Sequence, residues 1–418
     1  VVDPKFIAAK VGYAIVLFSA GQAEIAKQVL NEIDERELSG PSALLDFAKA
    51  LTFAGEYQRS LTIIERLPMS VQAGDALPIR AVCHIQLGNI AAFEALIPQA
   101  KKLVTANPAV AVKFVEILIN TGRRREAVDM LRSLATASPK NARVLVLLAK
   151  AEIADNNISQ ARLHLGRAAA LDPRLAEVWS TQAALEAAEG NPQSALRSLN
   201  QALILAPDSK EILSQMVIAA MRANQPRMAV DAADKLIKSE PDNADYLYLH
   251  GAASLQNGSL ASAKTSLERF TAARPNDSRG CIALGLTLVA QKANDAARAQ
   301  FGRCLEIDSS NFEAKYQLGM LSKAQGDTTA AIQLLEEVTT AAPNHPLVLR
   351  DLGTLYLQAG MEAKARNALE RSVALDPTDA GTHFQLSRLY NMIGEPALAR
   401  KHLEQFQKLK GPGGISTN

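Results

Sequence analysis

Apolar residues recur three and four positions apart along most of the chain, as at Leu145, Leu148, Ala149 and on to Glu152, and again at Ala195, Leu199, Ala202 and Leu205. That spacing sets them on one face of a helix and predicts amphipathic α-helices of about three to four turns. Gly or Asn punctuates one side of each stretch and Pro the other. Gly or Asn supplies the left-handed backbone that ends a first helix. Proline has no amide hydrogen for a continuing ladder, so it closes a second helix and starts the turn to the next unit. The pattern predicts helix hairpins throughout and leaves no place for strands.

The punctuation is periodic. Pro139, Pro173, Pro207, Pro241, Pro275, Pro343 and Pro377 fall on a 34-residue ruler, with Ser309 in the vacant slot. A second ladder in phase with it reads Ala127, Ala161, Ala195, Ala229, Ala263, Ala297, Ala331, Ala365 and Ala399. A third marks the turns at Gly122, Gly190, Gly258, Gly326, Gly360 and Gly394, with Asn156 and Asn224 filling two gaps. Three registers held in phase define a tandem array. Twelve units can be phased, starting at Ile7, Pro41, Gly74, Pro108, Ala142, Ala176, Lys210, Ala244, Ser278, Phe312, Pro346 and Ala380. The expectation is one continuous array over residues 1–410 and a Gly-rich tail over 411–418. The first three units are less regular: Ser60 and Phe93 stand where alanine is expected. In the ninth, Lys292 replaces a turn glycine.

Seven residues into each unit the side chain is small: Ala14, Ala48, Ala81, Val115, Ala149, Ala183, Val217, Gly251, Gly285, Gly319, Gly353 and Ser387. A small residue there, opposite the recurring alanine of the second helix, lets the two backbones cross closely. Stability is then a nearest-neighbour sum along the array rather than the product of one central core.

Composition narrows the function classes. Of 418 residues, 45 are Lys or Arg and 43 Asp or Glu, a net charge of +2, which argues against the concentrated basic surface that phosphate neutralisation needs. No nucleic-acid partner is expected, and no acidic disordered tail. Three cysteines exclude a disulfide-built scaffold. No run approaches the ~20 apolar residues of a membrane span. The chain opens on Val1 rather than Met, which suggests that a leader or upstream region has been removed.

The small–Gly–Ala–Pro grammar resembles the tetratricopeptide repeat family, whose unit is a 34-residue helix–turn–helix. Residues 312–345 carry its Leu–Gly pair as Leu318–Gly319, its turn as Gly326–Asp327, and Ala331 and Pro343. Residues 346–379 carry Leu352–Gly353, Tyr356, Gly360, Ala365 and Pro377. The resemblance implies an all-α solenoid, a right-handed superhelix of about twelve hairpins whose first helices line a concave groove. Trp179 then takes the family's aromatic packing position, and Tyr356 and Tyr390 an inter-helix packing position. Tyr248, Tyr316 and Phe384 fall on the groove face, near Gln317, Arg350, Asp351, Gln385, Arg388 and Asn391. Aromatic rings beside arginines and amides offer an extended peptide both apolar area and hydrogen bonds. Polar residues on such a face equally serve solubility. The peptide-binding candidates are Tyr248, Tyr316, Gln317, Arg350, Phe384, Gln385 and Arg388, which favours the C-terminal half. Two constellations of the family are missing. No adjacent units carry the Lys/Asn clamp for a chaperone's terminal carboxylate. In place of an asparagine ladder, the relevant positions read Gly12, Asp46, Ile79, Lys113, Leu147, Thr181 and Gln215.

Sites for chemistry are hard to find. There is no H-E-x-x-H pair, no C-x-x-C and no phosphate-cradling glycine loop. His84, His164, His250, His345, His383 and His402 are read as lying in different units at different repeat positions, each a surface or interface residue. Cys281 and Cys304 share one repeat, near the start of its first helix and the end of its second. They are read as a buried pair of small apolar residues rather than a disulfide. No catalytic, cofactor-binding or metal-binding residue is expected.

The ends of the array complete the reading. From Phe6 to Phe18 eleven of thirteen residues are apolar, the signature of a helix buried on every side yet too short to span a bilayer. Something should cover it: upstream repeats, a partner or another copy. Leu403, Phe406 and Leu409 repeat the pattern at the other end, before Gly411 and a short tail. Unlike ends that meet head to tail give an open filament. The contact candidates are Phe6, Val11, Ile15, Phe18, Leu403, Phe406, Leu409 and Ile415. The reading is a non-catalytic scaffold that binds protein partners in its groove, with a self-assembling structural subunit as the alternative and an enzyme's regulatory arm as a third. The missing Met and the resemblance to long bacterial envelope proteins of the family favour the periplasm or exterior over the cytoplasm.

Overall fold

The computed structural model describes the backbone of residues 4–410 and the side chains from Ile7 to Lys410. Every element among these residues is α-helical. The chain divides into two compact units, Val1–Ile212 and Leu213–Asn418. Within each, consecutive helices pair as antiparallel hairpins and each hairpin packs on the next. From Pro108 onward the first helices begin at Pro108, Ala142, Ala176, Lys210, Ala244, Ser278, Phe312, Pro346 and Ala380, each 34 residues after the last.

Local chemistry explains where each helix starts and stops. The turn ladder is left-handed at every expected position, including Gly21, Gly55 and Gly88 in the less regular units. Asn156, Asn224 and Lys292 hold φ of 60°, 54° and 62° in the glycine slots, so Lys292 carries the strain that glycine would avoid. The residue before the first helix caps it. Asn141, Asn311 and Asp379 accept from backbone amides of the first turn, Asn311 from Ala314 at 2.9 Å. The recurring prolines also expose carbonyls that later side chains satisfy. Arg269, Arg303 and Arg371 donate to the carbonyls of Pro241, Pro275 and Pro343, each 28 residues back. Trp179 and His383 donate to Pro173 and Pro377, each six residues back.

The small position needs one refinement. A Cβ added at Gly251 would lie 2.5 Å from Leu267, and one at Gly353 2.6 Å from Leu369; Gly285 and Gly319 similarly face Phe301 and Leu335. The close approach is therefore to the large side chain four residues beyond the recurring alanine, not to the alanine itself. Glycine makes room for a knob rather than for a second backbone.

Two expectations are corrected. Cys281 and Cys304 are disulfide-bonded, with Cα atoms 5.7 Å apart, because both sit at the open mouth of one hairpin. The third cysteine, Cys83, is free and buried. The first helix, Pro4–Ser19, is not buried all round within this chain. It packs Ile7, Val11, Ala14 and Leu17 inward and leaves Tyr13 55% and Val16 62% exposed. The irregular third hairpin has a broken second helix, Ile90–Glu94 and Ile97–Ala106, with Pro98 in the opening turn of the second piece. There Phe93 fills the alanine position and stacks on Phe114 at 6.2 Å. Ser60 fills its slot by donating to the Ala48 carbonyl at 2.8 Å.

Candidate functional site

In the first unit a cleft of about 740 Å³ opens along the first helices of successive hairpins. Pro108–Asn120 contributes Glu116, Ile119 and Asn120; Ala142–Ala154 contributes Arg143, Val146, Leu147, Lys150, Ala151 and Ala154. Glu177 and Glu211 close the far side. The floor is aliphatic, with Ile119 42% exposed and Leu147 half-buried. Charges form the rim. Arg143 reaches Glu116 at 2.9 Å, Arg124 reaches Asp155 at 3.0 Å, and Lys150 reaches Glu211, two hairpins on, at 3.4 Å. Solvent-exposed pairs of this kind contribute at most about 1 kcal/mol each, so charges on a bound chain can replace them at little cost.

A second cleft, of about 620 Å³, repeats this arrangement inside the second unit. It is lined by Met221, Arg222, Tyr248, Ala252, Leu255, Gln256, Arg279, Ile282 and Leu286, again from the first helices of successive hairpins. Tyr248 packs on Phe270 with ring centres 5.2 Å apart, and the Arg279 guanidinium lies 5.0 Å from the Tyr248 ring centre. Asp277 fixes that arginine with bonds of 2.6–3.2 Å, which lift the guanidinium and hold the carboxyl below its usual range.

Of the sequence-derived groove candidates, Tyr248 lines this cleft. Tyr316 and Arg350 are engaged with neighbours. The Tyr316 hydroxyl donates to Asp351 at 2.7 Å, and burial together with that bond pushes the phenol well up. Arg350 bonds Asp379 at 3.2 Å, so these two tie consecutive hairpins together. Gln317 donates to Glu313 at 2.9 Å, and exposed Arg388 donates to Gln385 at 3.3 Å. Phe384 is 39% exposed and lies 5.2 Å from Phe406. Val146, Tyr248, Tyr316, Arg350 and Phe384 occupy the same repeat position, at multiples of 34 residues. The aliphatic members of that position escaped the sequence reading because they look like core.

Among the end-contact candidates, Val11 is 1% exposed and spent on its own cluster, with Ile15 and Phe18 packed against it. Leu403 and Leu409 are 40% and 39% exposed. Phe6 and Ile415 lie outside the described side chains. The histidines are not all separate. His383 and His402 belong to the same last hairpin, with Nδ1 atoms 2.9 Å apart, so that expectation is corrected by the turn that brings their helices together. No group of three or more metal-ligating side chains occurs among the described residues, and no described helix is long and apolar enough to cross a membrane.

Comparison with known proteins agrees with this architecture. Cellulose synthase operon protein C of Xanthomonas axonopodis pv. citri is 30% identical over 164 residues, 37% of this chain but 11% of that protein. BBSome complex member BBS4 of Bos taurus is 29% identical over 99 residues, 24% of this chain and 19% of its own length. The chain thus spans only a minor part of either relative. A crystal structure of the APC/C hetero-tetramer Cut9–Hcn1 superposes with a TM-score of 0.50 at 14% identity, covering 97% of this chain and 88% of that one, a likeness of fold. The family profile for the tetratricopeptide repeat matches residues 118–185, 186–253, 288–350 and 322–380, together more than half of the chain. With its helix hairpins in successive packed pairs, this chain belongs to the tetratricopeptide repeat family.

Proposed function

We propose that the protein is a non-catalytic scaffold that holds extended segments of protein partners against its first-helix face. The fold supports a protein-interaction role, and tetratricopeptide repeat proteins are in general non-enzymatic scaffolds. The observation that carries the finer reading is the cleft over residues 116–211, where an aliphatic floor is rimmed by replaceable charges. An extended chain can lay alternate side chains on such a floor and its polar groups on such a rim. The groove candidates Tyr316, Gln317, Arg350, Phe384, Gln385 and Arg388 stand on first helices of the second unit.

The test is Ile119→Glu, which places a charge on the floor at an exposed position. Partner protein that co-purifies with the wild-type chain should be lost while the melting temperature holds. Retention of every partner by the folded variant contradicts the reading. The disulfide supports an oxidising compartment, in line with an exported protein. A second reading, end-to-end self-association, draws on exposed Tyr13, Val16, Leu403 and Leu409. Light scattering over a dilution series should then show mass rising with concentration, and a constant monomer mass defeats it.

A further inference from the structure

The two clefts differ in the charge they leave uncompensated. At the first, Arg124, Arg143 and Lys150 all have carboxylate partners, and the lining cations and anions balance in number. At the second, Arg279 is held by Asp277 and by two aromatic rings. Its neighbour Asp245 is taken by Arg274 through two bonds of 2.7 Å. Arg222 stands apart. It is the last residue of Lys210–Arg222, it is exposed, and among the described residues it has no carboxylate within ion-pair reach. Between the two arginines the surface is Met221, Tyr248, Ala252, Leu255, Ile282 and Leu286.

We propose that the Met221–Leu286 cleft binds an extended apolar peptide segment that carries an internal acidic side chain, received by Arg222. The inference rests on the reading of the first-helix face as the interaction surface and adds the partner's chemistry. An unpaired cation beside a low-dielectric floor attracts a carboxylate more strongly than water-surrounded charges do, because fewer waters screen the pair. Arg279, locked by Asp277 and stacked on Tyr248, is already compensated and presents its flat face as a wall. Methionine and leucine on the floor accept varied aliphatic side chains. The charge therefore sets where a segment docks, and the floor sets how tightly. A segment with lysine at that point would meet Arg222 as a like charge and be rejected.

The test uses the full chain and three end-blocked synthetic peptides of about twelve residues, long enough to lie extended across three hairpins. All have the same Leu, Val, Ala and Ser background, with Glu, Gln or Lys at the centre, and each is labelled for fluorescence anisotropy. The Glu peptide should bind roughly fivefold more tightly than the Gln peptide, about the 1 kcal/mol that an exposed pair supplies. Raising the salt should narrow that ratio. Arg222→Glu, at an exposed position without a partner, should reverse the order so that the Lys peptide binds best. Leu163→Glu, at an exposed second-helix position outside both clefts, should leave the order unchanged. Equal affinity for all three peptides, absence of binding, or a Glu preference that survives Arg222→Glu overturns the proposal. If the preference is instead abolished by Ile119→Glu, the first-helix reading stands and this assignment of partner chemistry falls.

Discussion

The phenol of Tyr390 donates a 2.6 Å hydrogen bond to the Glu370 carboxylate of the preceding hairpin. One repeat earlier, Tyr356 makes the same 2.6 Å bond to Glu336. A cation covers each ring, Arg366 at 5.4 Å from Tyr390 and Lys364 at 5.2 Å from Tyr356. Lys364 also bonds Glu336, and Arg366 bonds Glu370. Consecutive hairpins are thus pinned by a phenol and a carboxylate that recur at the array's own period, while both cations come from one helix, Glu362–Leu375. Coupling of this kind reaches only the neighbouring unit, as a solenoid requires.

Removing one pin should have a local effect. Tyr390→Phe keeps the ring and deletes the bond, at a cost of about 1–2 kcal/mol, read as a lower urea midpoint. Hydrogen exchange should quicken around residues 362–410 and stay unchanged in the first unit. The pH dependence follows from the same pair. The Tyr390 bond holds Glu370 below the usual carboxylate range, with help from Arg366 and against the effect of burial. Its contribution is present above the ordinary value of 4.5 and is lost as the pH falls. Burial and the Glu370 bond push the Tyr390 phenol up to about 12 from 10.0, so that stability is lost as the pH climbs through this range. Ultraviolet titration of wild type against Tyr390→Phe should reveal a phenol that ionises near the top of that range.

The histidine pair gives the last hairpin a sensitivity to acid. His383 Nε2 donates to the Pro377 carbonyl, which leaves its neutral Nδ1 as the acceptor for His402 Nδ1–H. Burial, then the nearby His383 and Lys401, hold the His402 imidazole below its ordinary value of 6.5, against the attraction of Glu370. The stability it contributes is complete above 6.5 and declines as the pH falls below it. Exchange in Pro396–Lys410 should therefore speed up between neutral pH and pH ~5 beyond the intrinsic rate, and His402→Gln should flatten that response. Equal pH dependence in the two proteins contradicts it.

Lys292 is the one lysine in a turn slot that glycine fills elsewhere, at φ 62°. Lys292→Gly should relieve about 1 kcal/mol of backbone strain and raise the melting temperature. Gly319→Leu should do the opposite by about 1–3 kcal/mol, since Leu335 already occupies the space in front of that glycine.

Thiol counting checks the disulfide. Unfolded, unreduced protein should release one thiol, Cys83, and reduced protein three. Cys304→Ser should cost about 2–4 kcal/mol, the usual range for a bridge that closes a loop of this order.

How far the sequence could be read depended on whether a feature repeats. The Pro, Ala and Gly ladders located the hairpins because each turn must solve the same backbone problem every 34 residues. Features that occur once had no register to amplify them. Cys281 and Cys304 reveal their pairing only when one asks which positions meet at a hairpin's mouth. His383 and His402 were hidden in the same way, 19 residues apart on facing helices. The N-cap ladder at Asn107, Asn141, Asn243, Asp277, Asn311 and Asp379 was in plain sight and periodic, and went unread because it shares its slots with Leu175 and His345. The aliphatic cleft was illegible for a different reason. Val146, Leu147 and Ala151 have the composition of core, and only their placement on a first-helix face shows that they also floor an open cleft.

The central claim is that partner segments lie against the first-helix face. It is tested most directly by a photo-crosslinking amino acid placed at Leu147 on the cleft floor, and separately at Leu163, which is 55% exposed on the second helix of the same hairpin. Irradiated in the cells that produce the protein and read by peptide mass spectrometry, the Leu147 probe should capture a defined segment of a partner and the Leu163 probe should not. Capture of the same segment from Leu163, with none from Leu147, would contradict the account.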